Sequence, residues 1–307
     1  VLFLFISGVG IAAPMSLFIS LLIGHSEGNR AKNLAILAAL ATLGTSLGYQ
    51  IGGLLGDSQA FQNLIPTNSY ENIFLLQGTC MIVFGLFVLM FIKDYHKKAH
   101  IVKRRSAFRA LGKIKTLDLK FIVFLISLTL ITMGSTNLSK YMDVYFNDLN
   151  LTTTALGNFV LVTGIVSVFT SIFIVPFVSK LRKQLVFLIV IQVLSSFIVF
   201  YVFRSSRFII SLYTVYNVYI MFRAIYLPLE QNYISRQAEE DSFGTIIGIR
   251  QSFIAIGNVI GPLLGGVLYS IRPLLLFDVS GLFFLVGALL IGVVLMLQKK
   301  EEISLMK

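Results

Sequence analysis

The stretch GNVIGPLLGG, Gly257 to Gly266, lies inside a long apolar run and decides the fold. It places four glycines and one proline within ten residues. In water, Gly costs about 1 kcal/mol and Pro about 3 kcal/mol relative to Ala in a helix interior. In hydrocarbon a broken helix is costlier still, because no water is present to bind the freed N–H and C=O groups. We therefore interpret the stretch as part of a membrane-spanning helix.

The composition of the whole chain supports the same interpretation. Of its 307 residues, 56% are hydrophobic and 13% are charged, whereas an ordinary soluble domain has roughly 25% charged residues. Apolar runs of this length indicate helices that cross a bilayer. The sequence predicts an all-α polytopic membrane protein with nine spans: 1–23, 34–55, 73–92, 119–139, 155–178, 185–203, 208–231, 244–270 and 274–297.

The basic residues predict the orientation of these spans. Of the 25 Lys and Arg, 19 lie in the connections after spans one, three, five and seven or in the C-terminal tail, and four lie on the opposite side. The remaining two, Arg223 and Arg250, fall within predicted spans. By the positive-inside rule the C-terminus is cytoplasmic, in a multi-pass protein of the plasma (inner) membrane. The basic stretch from Lys93 to Lys115 becomes a cytoplasmic linker near anionic lipid rather than a nucleic-acid-binding segment.

A repeat relates the two ends of the chain. A shift of 213 residues superimposes the four glycines of GTSLGYQIGG on those of GNVIGPLLGG. Glycines four residues apart form a smooth helix face that another helix can approach closely, and a proline beside them invites a kink. We predict a helix-packing and gating motif formed by Gly44, Gly48, Gly52, Gly53, Gly257, Gly261, Pro262, Gly265 and Gly266.

Two six-helix units joined by a long basic loop resemble the major facilitator superfamily. GNVIGPLLGG is similar to the G-x-x-x-G-P-x-x-G-G pattern of the family's antiporters, and the longer stretch from Arg250 to Gly266, after Pro228, resembles the multidrug-resistance branch of the drug:proton antiporters. The resemblance implies a bacterial protein with nine helices of an expected twelve, and we expect three spans before Val1. It divides the chain into spans four to six in 1–92, a cytoplasmic linker in 93–118, a six-helix bundle in 119–297 and a cytoplasmic tail in 298–307.

The seventh apolar run carries a polar and aromatic face. At 100° per residue, its tyrosines and charged residues fall within an arc of about 100°. A charge in hydrocarbon costs about 3 kcal/mol on insertion scales, so such a face suits a water-filled cavity. Tyrosine rings there can stack on flat cationic compounds. The predicted substrate cavity comprises Tyr216, Tyr219, Arg223, Tyr226 and Glu230, with Gln50 and Asn137 from other spans.

Several alternatives to this cavity remain open. Glu230 is the candidate for proton coupling, but it also fits an interfacial residue paired with Arg236 or a lipid headgroup. Arg223 also fits a structural ion pair or a carbonyl cap, and the tyrosine face also fits a packing seam between helices. Side-chain hydrogen bonds between helices are the alternative role for the remaining polar residues: Gln50, Asn137, Arg250, Gln251 and Asn258.

The predicted function is secondary active transport: proton-coupled efflux of lipophilic or cationic drugs by alternating access. The alternatives are a transporter of a sugar or other small metabolite, and a truncated membrane protein without transport. An enzyme is disfavoured, because three His and one Cys show no catalytic or metal-ligand spacing. We expect no metal and no cofactor, a proton gradient as the coupling ion, the lipid bilayer and a small-molecule substrate as partners, no nucleic acid, and a monomer. The two glycine surfaces are expected to meet between the two bundles.

Overall fold

The protein is almost entirely helical in the part of the chain that the computed structural model describes, which is residues 30–59, 69–91, 118–178, 183–236 and 243–305. The described helices are α1 (Arg30–Asp57), α2 (Ser69–Phe91), α3 (Leu119–Asp148), α4 (Thr153–Phe169), α5 (Val175–Val178), α6 (Gln184–Arg204), α7 (Phe208–Tyr213), α8 (Val215–Arg236), α9 (Phe243–Ile271) and α10 (Pro273–Leu305). A five-residue π-helical turn, Thr170–Ile174, joins α4 to α5.

Seven described helical segments are long and apolar enough to cross a membrane, and they coincide with seven of the nine predicted spans. The first predicted span, 1–23, lies outside the described residues. The second forms α1, which is not among the seven segments. The predicted count of nine spans is therefore not confirmed. The seven are Asn72–Met90, Leu119–Asp148, Thr153–Val178, Gln184–Arg204, Phe208–Ile234, Gly248–Ile271 and Pro273–Glu301.

The segments from α3 to α10 form one bundle in which successive spans alternate in direction. The Ser127 hydroxyl donates to the Gly287 carbonyl at 2.9 Å, and Lys120 pairs with Glu301, so α3 runs antiparallel to α10. The Thr129 hydroxyl donates to the Phe253 carbonyl at 3.2 Å, and α9 lies alongside α3 in the same direction. We call the end where α3 begins and α10 ends the basic face, and the other end the opposite face.

The turn between α3 and α4 shows how local sequence reverses the chain. Asn150 adopts a positive φ of 55° after the end of α3, a conformation that Asn tolerates better than most residues. Thr152 then caps α4, since its hydroxyl accepts a hydrogen bond from the Ala155 N–H at 3.2 Å. A short reversal at the opposite face is the result.

The glycines of α9 bring this helix against α3. A Cβ added at Gly257 would lie 2.8 Å from the Thr129 carbonyl oxygen, and one at Gly261 would lie 3.0 Å from Cα of Met133. At Gly265 and Gly266 the added atom would meet the Tyr141 ring, whose hydroxyl donates to the Pro262 carbonyl at 2.9 Å. Close backbone approach of this kind holds helices together in lipid.

The other glycine surface behaves differently. Among the described residues, an added Cβ would meet nothing within 4 Å at Gly44, Gly48 or Gly52, whereas at Gly53 it would lie 2.5 Å from the Thr153 carbonyl oxygen of α4. The expectation that the two glycine surfaces meet is therefore wrong in the described residues, because α9 packs within its own bundle and α1 packs on α4.

The actual contact between α1 and α4 uses small residues seven apart. Gly157 of α4 lies against the backbone of Tyr49, and Gly164 lies against Ser46. Since Ser46 and Gly53 are also seven residues apart, the two antiparallel helices share one close-packed seam. This seam joins α1 to the bundle.

A carboxylate fastens the α1–α4 seam at the opposite face. Asp57 accepts hydrogen bonds from the Thr154 N–H and the Thr153 hydroxyl, both at 2.8 Å. These hydrogen bonds, of which those from Thr154 act most strongly, hold the pKa of Asp57 below its ordinary value of 3.8. The carboxylate is thus ionised at neutral pH and caps the first turn of α4.

The predicted boundary between the last span and the C-terminal tail, at residue 298, falls inside a helix. The helix α10 continues to Leu305, so most of the tail expected from residue 298 is helical. The predicted linker, 93–118, lies almost wholly outside the described residues.

Candidate substrate cavity

A cavity of about 690 Å³ lies among α1, α3, α4, α6, α8, α9 and α10. Its size is that of a small-molecule site. Much of its wall carries hydroxyl groups, contributed by four helices. The hydroxyl-bearing residues other than tyrosine are Thr42, Thr45, Ser46, Thr132, Ser135, Thr136, Thr163, Ser167, Ser171 and Ser195.

The α8 side of the cavity presents one helix face of aromatic and basic residues. Tyr219, Arg223 and Tyr226 all line the cavity, at spacings of four and three residues that place them on one side of the helix. The two tyrosine side chains are buried, and neither hydroxyl has a hydrogen-bond partner among the described residues. The Arg223 side chain is exposed, and it makes no hydrogen bond or ion pair within the described part of the chain.

Tyr216, also predicted for the cavity, lies in a packing seam. It is 3% exposed and is not among the cavity-lining residues. Its ring centroid lies 5.1 Å from that of Tyr219, 5.7 Å from Phe159 and 6.2 Å from Phe203. The tyrosine face therefore divides along its length, with part of it packing the bundle and part of it lining the cavity.

Glu230 and Arg250 form a buried ion pair between α8 and α9. Glu230 Oε1 accepts from Arg250 Nε at 2.7 Å, and Oε2 accepts from Nη2 at 2.6 Å. The side chains are 0% and 7% exposed. Such two-point pairing satisfies both charges in a dry environment. The pair lies beyond Tyr226 toward the basic face, and neither member is among the cavity-lining residues.

The two remaining predicted residues lie away from the cavity wall. Gln50 donates to Asn158 Oδ1 at 2.6 Å and so links α1 to α4. Asn137 is 0% exposed beside Gly265, and its amide has no partner among the described residues. Of the polar residues that sequence left between two roles, Asn258 does line the cavity, where its side-chain oxygen accepts from the Thr136 hydroxyl at 2.8 Å.

Comparison with known proteins shows the family of this chain. The model of the Major Facilitator Superfamily matches residues 1–222 and 124–304. The chain belongs to the major facilitator superfamily. It is also 26% identical, over 289 residues, to the quinolone resistance protein NorA of Staphylococcus aureus (strain MSSA476), covering 91% of this chain and 67% of that protein. This similarity supports the resemblance to the multidrug-resistance branch.

Sequence reasoning missed the hydroxyl wall of this superfamily member. The signal was present as serine and threonine residues repeated at three- and four-residue intervals, such as Thr163, Ser167 and Ser171. In a membrane helix these residues are unremarkable one at a time, because each hydroxyl can donate to a carbonyl one turn back. Ser171 does so, donating to the Ser167 carbonyl at 2.9 Å inside the π-helical turn.

Proposed function

We propose that this protein is a secondary active transporter that exports amphipathic small molecules by alternating access. The observation that carries the proposal is the cavity itself, a space of about 690 Å³ between membrane-spanning helices. Its wall mixes hydroxyl groups with aromatic and aliphatic side chains, so both the polar and the apolar parts of one molecule find partners there.

The position of the cavity along the helices supports alternating access. On α1 its lining lies around the middle of the helix, from Ala39 to Ser46, and on α4 in the second half, from Thr163 onward. Toward the opposite face, the same two helices close on each other at Gly53 and Gly157. A central cavity that is closed off toward one face is compatible with one of the two states that a rocking transporter needs. With the basic face cytoplasmic, closure toward the opposite face would correspond to the inward-facing state.

Glu230 is the proposed coupling group for protons. Protonation would remove its charge and leave Arg250 buried without a counter-ion, so α8 and α9 would then separate or recruit another partner. Because Tyr226 and Pro228 on the same helix line the cavity, movement of α8 would reach the substrate. Proton binding and cavity shape are thereby joined through one ion pair.

The relation to a quinolone resistance protein favours outward transport of drug-like compounds over uptake of a sugar. The lining supports that preference. A sugar site is expected to carry several amides and carboxylates, whereas the described lining has two amides, Gln192 and Asn258, and no carboxylate.

The proposal predicts gradient-driven dye transport. Everted membrane vesicles from cells expressing the complete gene are expected to accumulate fluorescein, or its cationic analogue tetramethylrhodamine methyl ester, several-fold above vesicles without the protein. A protonophore is expected to abolish the difference, because the proton gradient supplies the free energy. Equal accumulation in the two vesicle preparations, for both dyes, would refute transport; accumulation that survives the protonophore would refute proton coupling.

A further inference from the structure

We propose that the cavity selects amphipathic compounds that carry an anionic group, such as an aromatic carboxylate, and that Arg223 is the residue that binds this group. The inference rests on the proposed function, since it assumes that the cavity holds the substrate. It reverses the charge that the sequence alone suggested, which was a lipophilic cation.

The charged residues at the cavity indicate which sign of charge the ligand carries. Among the described residues that line it, Arg223 is the one charged residue, and neither Asp nor Glu is present. The nearest carboxylate along α8, Glu230, is already neutralised by two hydrogen bonds to Arg250. A positive charge that has no counter-ion among the described residues attracts anions and repels cations. A cationic compound would therefore meet repulsion that no carboxylate of the described lining offsets.

The hydrogen-bond donors near Arg223 also suit an anion. Tyr219 and Tyr226 are 3% and 6% exposed, and their hydroxyls have no partner among the described residues. One lies four residues before Arg223 and the other three residues after it, on the same helix face. A carboxylate accepts up to about four hydrogen bonds, so it can take two from the guanidinium. The phenol hydroxyls are buried, and a rotation of either side chain toward the cavity would add a donor and satisfy a group that has no partner among the described residues.

The hydroxyl wall does not compete for this role. Thr132 donates to the Leu128 carbonyl at 2.7 Å, Ser135 to the Thr132 carbonyl at 3.1 Å and Thr163 to the Val160 carbonyl at 2.9 Å. Because these hydrogens are already used within their own helices, the wall offers mainly acceptor oxygens. Besides the side-chain amides of Gln192 and Asn258, the donors of the described lining lie on α8. The charged group of the ligand would therefore lie on the α8 side of the cavity, beside Arg223.

The apolar body of the ligand has a surface on which to lie. The Tyr219 and Phe284 ring centroids are 5.6 Å apart, and both residues line the cavity. Aliphatic side chains complete this part of the wall: Leu128, Ile131, Ile220, Leu227 and Ile254. Aromatic or hydrophobic rings carrying one acidic group would therefore fit both parts of the site.

Binding of two dyes that share a ring system but differ in charge tests the inference. The probes are fluorescein, an anion at neutral pH, and tetramethylrhodamine methyl ester, a cation. Fluorescence anisotropy with the purified protein in phosphatidylcholine nanodiscs gives each Kd without any gradient. The wild type is expected to bind fluorescein more tightly, and Arg223→Ala to weaken that binding by about 10- to 100-fold, the loss of charge-assisted hydrogen bonds. Cation binding is expected to be unchanged or tighter in the variant.

Two further variants keep the result interpretable. Arg223→Lys retains the charge but loses the two-point geometry, so a smaller loss of fluorescein affinity is expected. Arg207→Ala removes one exposed cation outside the cavity, between α6 and α7, and is expected to change neither Kd. If Arg223→Ala does not yield monodisperse protein, Arg223→Gln takes its place in the comparison.

Tighter binding of the cation by the wild type, or fluorescein affinity unchanged in Arg223→Ala, would overturn the inference. Its failure is distinct from failure of the proposed function. Vesicles that pump the cation but not fluorescein would refute charge selection and leave transport standing. Charge-selective binding together with vesicles that pump neither dye would refute transport and leave charge selection standing.

Discussion

Glu230→Ala is expected to destabilise the folded protein by about 3–5 kcal/mol, because it leaves Arg250 buried without its counter-ion. The pair is at most 7% exposed and is joined by two hydrogen bonds of 2.7 and 2.6 Å. Arg250→Ala is expected to cost a similar amount for the reciprocal reason. Thermal unfolding of the purified protein in detergent would measure both effects.

The double variant separates a lost pair from a lost side chain. Glu230→Leu combined with Arg250→Met removes both charges and their desolvation penalty, and is expected to recover most of the stability. Asp278→Asn provides the control: its pair with Arg204 has an N···O distance of 2.9 Å, but Arg204 is 52% exposed, so the expected cost is about 0–1 kcal/mol. Equal losses for Glu230→Ala and Asp278→Asn would contradict the structural role given to the buried pair.

Gly261→Ala is expected to destabilise the protein by about 1–3 kcal/mol through overpacking. The added Cβ would lie 3.0 Å from Met133 Cα and 3.1 Å from its carbonyl oxygen. Both neighbours are backbone atoms, so relief requires α9 to move away from α3. Thermal unfolding in detergent would measure the loss.

A glycine on the same helix supplies the matched control. An atom added at Gly248 meets nothing within 4 Å in the part of the chain that the structure describes, so Gly248→Ala is expected to be neutral or to stabilise the helix by up to about 1 kcal/mol. Indistinguishable unfolding temperatures for the two variants would show that α9 does not depend on close approach at Gly261.

The helices could be predicted from the sequence because the length of each apolar run indicates a helix that spans the membrane. Which helices touch could not be predicted in the same way. Glycine spacing at Gly257 and Gly261 indicates that some helix approaches, but the identity of that helix depends on α3 offering its backbone at Thr129 and Met133. On α1 the close-packed positions are Ser46 and Gly53. Gly53 belongs to the predicted motif, whereas Ser46 does not.

The candidate site shows a similar division. The periodicity of α8 predicts one face of tyrosines and charges, but periodicity gives direction around a helix and not depth along it. Tyr216 and Tyr219 therefore share a face while only Tyr219 lines the cavity. The partner of Glu230 was missed because Arg250 lies twenty residues away on another helix, whereas sequence proximity pointed to Arg236.

The central claim, that the cavity is the substrate site, is tested most directly by ligand protection of a single cysteine. Cys80 is the only cysteine in the sequence, so Cys80→Ser provides a background in which Ser135→Cys, in the cavity wall, can be compared with Ser139→Cys, one turn along α3 and outside the lining. The two positions are matched, because the hydroxyl of each serine donates a hydrogen bond to the carbonyl three residues earlier. The account predicts that saturating fluorescein or tetramethylrhodamine methyl ester slows alkylation of Ser135→Cys by N-ethylmaleimide severalfold and leaves Ser139→Cys unchanged. Unaltered alkylation of Ser135→Cys with both dyes, or equal slowing at the two positions, would contradict it.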